Sequence, residues 1–163
     1  MSRRRRARVH AAGVMVLDSE GVSKAATDRV MYVRLKVAYD DGHRVLTSAA
    51  VLSEILRGGR RDAEVHRVLA RVAVEPVSAE TGRRAGQLIG AAGLSAGYAV
   101  DAMVVATAIE AAEQTETADR EASVLIVTSD VADLTQLVAG RPGVAVTHVG
   151  TLGRPLGGVR GLA

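Results

Sequence analysis

Gly13-Val14-Met15-Val16-Leu17-Asp18 is a short, unbroken run of apolar, β-favouring residues that stops at a carboxylate. A strand buried on both faces of a parallel sheet reads this way where it leaves the sheet at its C-terminal edge. The design recurs late in the chain, where Val124-Leu125-Ile126-Val127 runs through Thr128-Ser129 into Asp130. Two buried strands thus deliver two carboxylates to what reads as one edge. In open α/β sheets the crevice beyond that edge is where ligands bind.

Working outward, Ser19-Glu20-Gly21 reads as a strand-to-helix turn ahead of a first helix from about Ser23. Residues 29 to 40 fit either period, and the stop at Asp40-Asp41-Gly42 favours a helix. Arg44-Val45-Leu46 is the second strand, after which Thr47 or Ser48 caps a helix from Ala49 to about Leu56, ended by Gly58-Gly59. An amphipathic helix carrying Val65, Val68, Leu69 and Val72 comes next, then a short strand near Val72 to Val74. Ser78 to Ala92 reads as a helix rich in Gly and Ala, which predicts close packing on a neighbour. After a break at Gly93 to Gly97, Tyr98 to about Glu113 is the most strongly patterned helix, and Glu116 to Glu121 is a polar loop. A helix from Val131 to Val138 and a last strand from Val144 to Val149 complete an alternation that predicts an α/β fold: one domain, an α/β/α sandwich on a mostly parallel, about five-stranded sheet. The domain is expected over 13–150, between a basic, flexible N-terminal tail (1–12) and a Gly-rich C-terminal tail (151–163).

Composition narrows the function. The chain has 163 residues, nearly half apolar and about a quarter charged, as an ordinary globular protein has. With three Tyr, no Phe and no Trp, stacking platforms for bases are scarce. The absence of Cys excludes disulfides, thiolate zinc sites and a cysteine nucleophile, and fits a reducing cytoplasm. The net charge is +3, with Arg3 to Arg6 and Arg8 at one end. No signal peptide is expected, since Asp18 cuts short the apolar run from Ala11, and no segment is long enough to cross a membrane.

Some carboxylates look misplaced. At about 100° per residue, Asp101 falls between Val104 and Val105, with Ala108 and Ala112 beside it, in the middle of its helix's apolar face, while the polar residues Thr107, Glu110 and Glu113 fall elsewhere. A charge on that face must be paired, metal-bound or neutralised, and an ion pair with a buried Arg is the plain structural explanation. Glu54 lies at the border of its helix's apolar stripe, about two turns beyond the second strand. Asp133 competes with Asp130, because either could cap the following helix; Asp130 is the first choice. Glu20 is a further candidate, although turn carboxylates are usually just solvated. Four carboxylates in one crevice repel one another, and a divalent, oxygen-preferring ion such as Mg²⁺ or Mn²⁺ relieves this. Such a site activates water and holds phosphate, which is nuclease chemistry. His10, His43, His66 and His148 match no ligand spacing.

Asp18 after its strand, Glu54 in Thr47-Ser48-Ala49-Ala50-Val51-Leu52-Ser53-Glu54, Asp101 in Ala99-Val100-Asp101-Ala102 and Asp130 in Val127-Thr128-Ser129-Asp130 together resemble the PIN domain family, which includes the VapC-type toxins. The resemblance spans about residues 13 to 150. It implies a Mg²⁺- or Mn²⁺-dependent ribonuclease on a five-stranded parallel sheet, a homodimer, and a small antitoxin that inserts into the active-site groove. Carried over, Asp18, Glu54, Asp101 and Asp130 are the metal ligands, with Thr128 and Ser129 supporting Asp130. Ser19 stands where the family commonly has Thr. A PIN-like module that binds RNA or protein without cutting, and more remotely a haloacid-dehalogenase-like phosphatase built on Asp18-Ser19-Glu20, are the rival readings.

Overall fold

The computed structural model describes residues 13–115 and 124–151. The N-terminal tail, the loop expected at 116–121 and the tail from 152 onward lie outside the described residues.

Five strands, β1 (Val14–Leu17), β2 (Arg44–Ser48), β3 (Ala73–Glu75), β4 (Val124–Thr128) and β5 (Val144–His148), form one sheet in the order β3-β2-β1-β4-β5. Every pairing is parallel. Between them run α1 (Ser19–Thr27), α2 (Arg29–Asp40), α3 (Leu52–Ile55), α4 (Asp62–Leu69), α5 (Ala79–Ala92), α6 (Ala99–Thr115) and α7 (Val131–Val138). The sheet runs outward in both directions from β1 and β4. Right-handed crossovers therefore put α2 and α7 on opposite faces. Helix α1 packs on α2 and α4, and α6 packs between α5 and α7 while lying on β1, β2 and β4. This is the expected α/β fold, with the sheet wholly parallel.

The core is built from aliphatic side chains. Val14, Val16, Leu17, Leu46, Ile126 and Val127 of the central strands are buried, as are Val104, Val105 and Leu134 of the helices above them. β1, flanked on both sides, is buried at every position. The register pairs Leu17 with both Thr47 and Val127. The residues that follow these three, Asp18, Ser48 and Thr128, therefore leave the sheet side by side.

Several local expectations change. α1 begins at Ser19 and not near Ser23, because Asp18 is itself the N-cap and accepts the Gly21 N–H at 2.6 Å. Thr47 does not cap the next helix. Its hydroxyl donates instead to Leu17 O at 2.7 Å, fastening β2 to β1 just before Asp18. Ser48 takes the N-cap position without a side-chain bond, and its hydroxyl is buried with no partner among the described residues. The segment expected as one helix over 49 to 56 opens as a 3₁₀ turn (Ala49–Val51), leaving α3 a single turn. Helix α5 packs closely on α6 as expected, but not through its glycines. A Cβ at Gly82, Gly86 or Gly90 would meet nothing within 4 Å, and the buried residues are Thr81, Ala85 and Leu88. Helix α6 lacks the single apolar face read from its pattern: Thr107, placed off that face, is buried and donates to Met103 O at 2.8 Å.

Gly21 sits where α1 comes closest to β4. A Cβ built there would stand 2.9 Å from Val127 O and 3.2 Å from Asp18 Oδ1. Backbone cannot yield as a flexible side chain does. Gly21→Ala should therefore destabilise the protein by about 1–3 kcal/mol, seen as a lower urea midpoint; an unchanged midpoint would contradict this close approach.

Candidate active site

Three helices begin at the C-terminal edge of the sheet, and each brings a carboxylate in its first turn or at its cap. Asp18 caps α1, Asp130 caps α7 by accepting the Asp133 N–H at 3.3 Å, and Asp101 lies in the first turn of α6. Glu54 reaches the same place from α3. Its Oε2 accepts a hydrogen bond from the Ser19 hydroxyl.

The electrostatics show that these groups face one another. Asp101, half-buried, has its pKa raised to about 6, first by desolvation and then by the charges of Glu54, Asp18, Asp130 and Asp133. A helix N-terminus favours the ionised form, so burial and like charge outweigh it here. Asp18 is 7% exposed, and its pKa is also raised, chiefly by burial. The Thr128 hydroxyl and the Gly21 N–H pull it the other way, while Glu20 and Glu54 add to the rise. No Lys, Arg or His pairs with Asp18, Glu54, Asp101, Asp130 or Asp133 among the described residues. The ion pair with a buried Arg is therefore not what holds Asp101. Arg34, the buried arginine among the described residues, donates from Nη1 to the carbonyls of His148 and Thr151, both at 2.9 Å.

The remaining sequence candidates sort by neighbourhood. Thr128 Oγ1 accepts the Asp130 N–H at 2.9 Å, so it fixes the backbone that presents Asp130, while the Ser129 side chain is exposed. Asp130 is exposed and Asp133 half-buried, and both act on Asp101. Glu20 pairs with Lys24 along α1 at 3.7 Å, and its charge also acts on Asp18. His43 accepts the Gly13 N–H at 2.8 Å and His148 the Gly150 N–H at 3.0 Å, both structural uses.

Tyr98 escaped the sequence reading. Its phenol lies against Asp133, whose charge and hydrogen bond, ahead of the charges of Asp130 and Asp101, raise its pKa. Its place three residues before Asp101 was the available signal.

The donor set suits a hard divalent cation, since it is all carboxylate, carries no counter-charge and repels itself. The oxygens are spread, being drawn toward Ser19, Gly21 and the Asp133 N–H. As placed, no three of them gather closely enough to hold an ion among the described residues.

Comparison with known proteins agrees with this geometry. The PIN domain family matches residues 15–130. VapBC2 from Rickettsia felis, solved bound to a DNA fragment from its promoter, is 16% identical; the match covers 83% of this chain and 98% of that one, with a TM-score of 0.61. A toxin-antitoxin complex from Klebsiella pneumoniae is 18% identical over 80% of this chain and 95% of that one, with a TM-score of 0.53. At these identities the likeness is one of fold. No curated protein matches the chain.

The Asp101 shift sets a pH dependence. Its folded pKa of about 6 exceeds an unfolded value of about 3.9, so the folded state holds the extra proton between them. Its contribution to metal-free stability is full below about pH 4 and is lost as pH rises through about 6. Asp101→Asn should flatten that fall and raise the thermal midpoint at pH 7 in EDTA; a variant with the wild-type pH profile would contradict the shift.

Proposed function

The chain belongs to the PIN domain family, and on that premise we propose that it is a Mg²⁺- or Mn²⁺-dependent ribonuclease, the toxin of a type II toxin-antitoxin pair. The observation that carries this reading is the pressure on Asp101: four carboxylates act on it and, among the described residues, no cation pairs with any of them. In this reading Asp18, Glu54, Asp101 and Asp130 hold the ion, with Asp133 the second choice after Asp130. The bound ion supplies Lewis-acid activation of water and offsets charge at the phosphate.

The chain's own groups prepare that site. The Ser19 hydroxyl holds Glu54, and the Gly21 N–H orients Asp18. Thr128, with Ser129 beside it, shapes the turn that presents Asp130. Asp101, with a pKa of about 6, is half-protonated near that pH and would give up that fraction of a proton on binding a cation. The N-terminal ends of α1, α6 and α7 meet at this edge, where an RNA phosphate would feel their positive dipole ends.

The partners proposed are an RNA substrate, a second copy of the chain in a homodimer, and a small antitoxin, all in the cytoplasm. A cleft of about 650 Å³ between α1, α2 and α4, lined by Tyr32, Leu35, Tyr39 and Val68, offers a small protein a foothold. Among the described residues no helix is long and apolar enough to cross a membrane. The phosphatase reading gains nothing, since Glu20 pairs with Lys24. The spread of the carboxylate oxygens is the one feature that favours a PIN module that does not cut.

Cleavage separates the two. Wild-type protein with Mn²⁺ or Mg²⁺ should cut a mixed RNA pool, while Asp101→Asn and an EDTA control should leave it intact. Wild type and variant that are equally inert would favour the binding module. Co-expression with the product of a small gene directly upstream should yield a complex in which cutting is suppressed.

A further inference from the structure

A basic loop follows Glu54 directly. The chain leaves α3 at Ile55 and enters α4 at Asp62 through Leu56-Arg57-Gly58-Gly59-Arg60-Arg61, with no acidic residue inside it. Arg57, Arg60 and Arg61 are exposed, and none of them is in an ion pair among the described residues. Arg44, Arg67, Arg83 and Arg84, by contrast, each have a carboxylate partner.

Asp62 could neutralise this loop, but its carboxylate turns inward. Oδ2 accepts the N–H groups of Arg57 at 2.9 Å and Gly58 at 2.7 Å, and these donors hold its pKa below the usual range. The Asp62 N–H in turn donates to Gly59 O at 3.1 Å, so the loop closes around its own acid, which is 6% exposed. Gly58, at φ 78°, supplies the left-handed turn this requires. Arg57 is held as well: its Nη1 donates to Ser53 O and Leu56 O, both at 2.9 Å, satisfying carbonyls at the end of α3. The result is a closed loop with Arg60 and Arg61 at its surface and Arg57 folded back on α3, still exposed and with its other donors left over.

Its position gives this charge a use. Arg57 is three residues past Glu54, so their Cα atoms are within about 11 Å, and the closed loop keeps Arg60 and Arg61 alongside. A crevice of carboxylates repels a polyanion everywhere except at a bound cation. The phosphates on either side of the reacting one therefore need positive groups just outside it. Arginine suits them, since its planar fork grips phosphate oxygens in pairs.

We propose that Arg57, Arg60 and Arg61 form a strap for the backbone of single-stranded RNA, gripping phosphates that flank the one at the carboxylates. The inference rests on the ribonuclease reading. Phosphate contacts set register and carry no base information, so the strap contributes affinity and placement, and the choice of cleavage sequence lies elsewhere.

The test uses Asp101→Asn as a background that does not cut, and fluorescein-labelled single-stranded RNA of mixed sequence. Binding is followed by anisotropy across a salt series. Replacing all three residues (Arg57→Gln, Arg60→Gln, Arg61→Gln) should make the slope of log Kd against log salt shallower by about 2, at about 0.7 per phosphate contact. The double variant Arg60→Gln/Arg61→Gln leaves the α3 contacts of Arg57 in place and should lose about 1.4 of slope. If the background protein binds RNA and both variants keep its slope and affinity, the strap is overturned, and an acidic protein becomes the better partner for the loop. If neither wild type nor Asp101→Asn binds RNA at low salt while circular dichroism shows both folded, the ribonuclease reading falls and takes the strap with it.

Discussion

The parallel sheet imposes the constraint on which the rest depends. Because all its strands run one way, every strand ends at the same edge, and the helices that follow must begin there. Helix α6 follows α5 and not a strand, but it leads back to the start of β4, so its first turn lies at this edge too, and carboxylates in these first turns are neighbours whatever their distance in sequence. Asp18 and Asp130 are each steadied by a backbone N–H of the helix they cap. Asp101 accepts no hydrogen bond among the described residues, and it is Asp101 whose pKa is pushed to about 6. The strain of like charge thus collects on the one group with least local compensation.

Small features elsewhere make that crowding possible. Gly21 lets α1 start against the Val127 carbonyl, which brings Asp18 beside Thr128. Thr47 ties the end of β2 to Leu17 O, fixing the strand ends from which Asp18 and the turn toward Glu54 depart. On the opposite flank, Thr128 O accepts the Val149 N–H at 2.8 Å, locking the end of β4 to the segment after β5. None of these residues carries charge. Each removes freedom from a backbone that does.

The fold was legible because the strands announce themselves. A buried parallel strand has to be continuously apolar, and Val14 to Leu17 and Val124 to Val127 are. Asp101 was legible for the opposite reason, as a charge among Val and Ala with nothing local to explain it. What the pattern hid was competition for the same side chain. Thr47 looks like a cap until the neighbouring Leu17 carbonyl claims its hydroxyl, and the shared start of α1 at Asp18 depends on a contact with Val127 that no local pattern encodes. Helix α5 does pack closely on α6, as its small residues suggested, although the buried face is Thr81, Ala85 and Leu88 and the glycines look into open space. The wheel misplaced Thr107 because α6 is enclosed on more than one side, so no single stripe describes it.

If these carboxylates serve a divalent cation, Mn²⁺ binding reveals it without any assumption about an RNA substrate. Titrating the metal-free protein near pH 6, with bound ion followed by electron paramagnetic resonance and released protons by a pH indicator, should show Mn²⁺ uptake with loss of a fraction of a proton, and neither signal in Asp101→Asn. A folded wild type that takes up no Mn²⁺, or takes it up equally well without Asp101, would contradict the account.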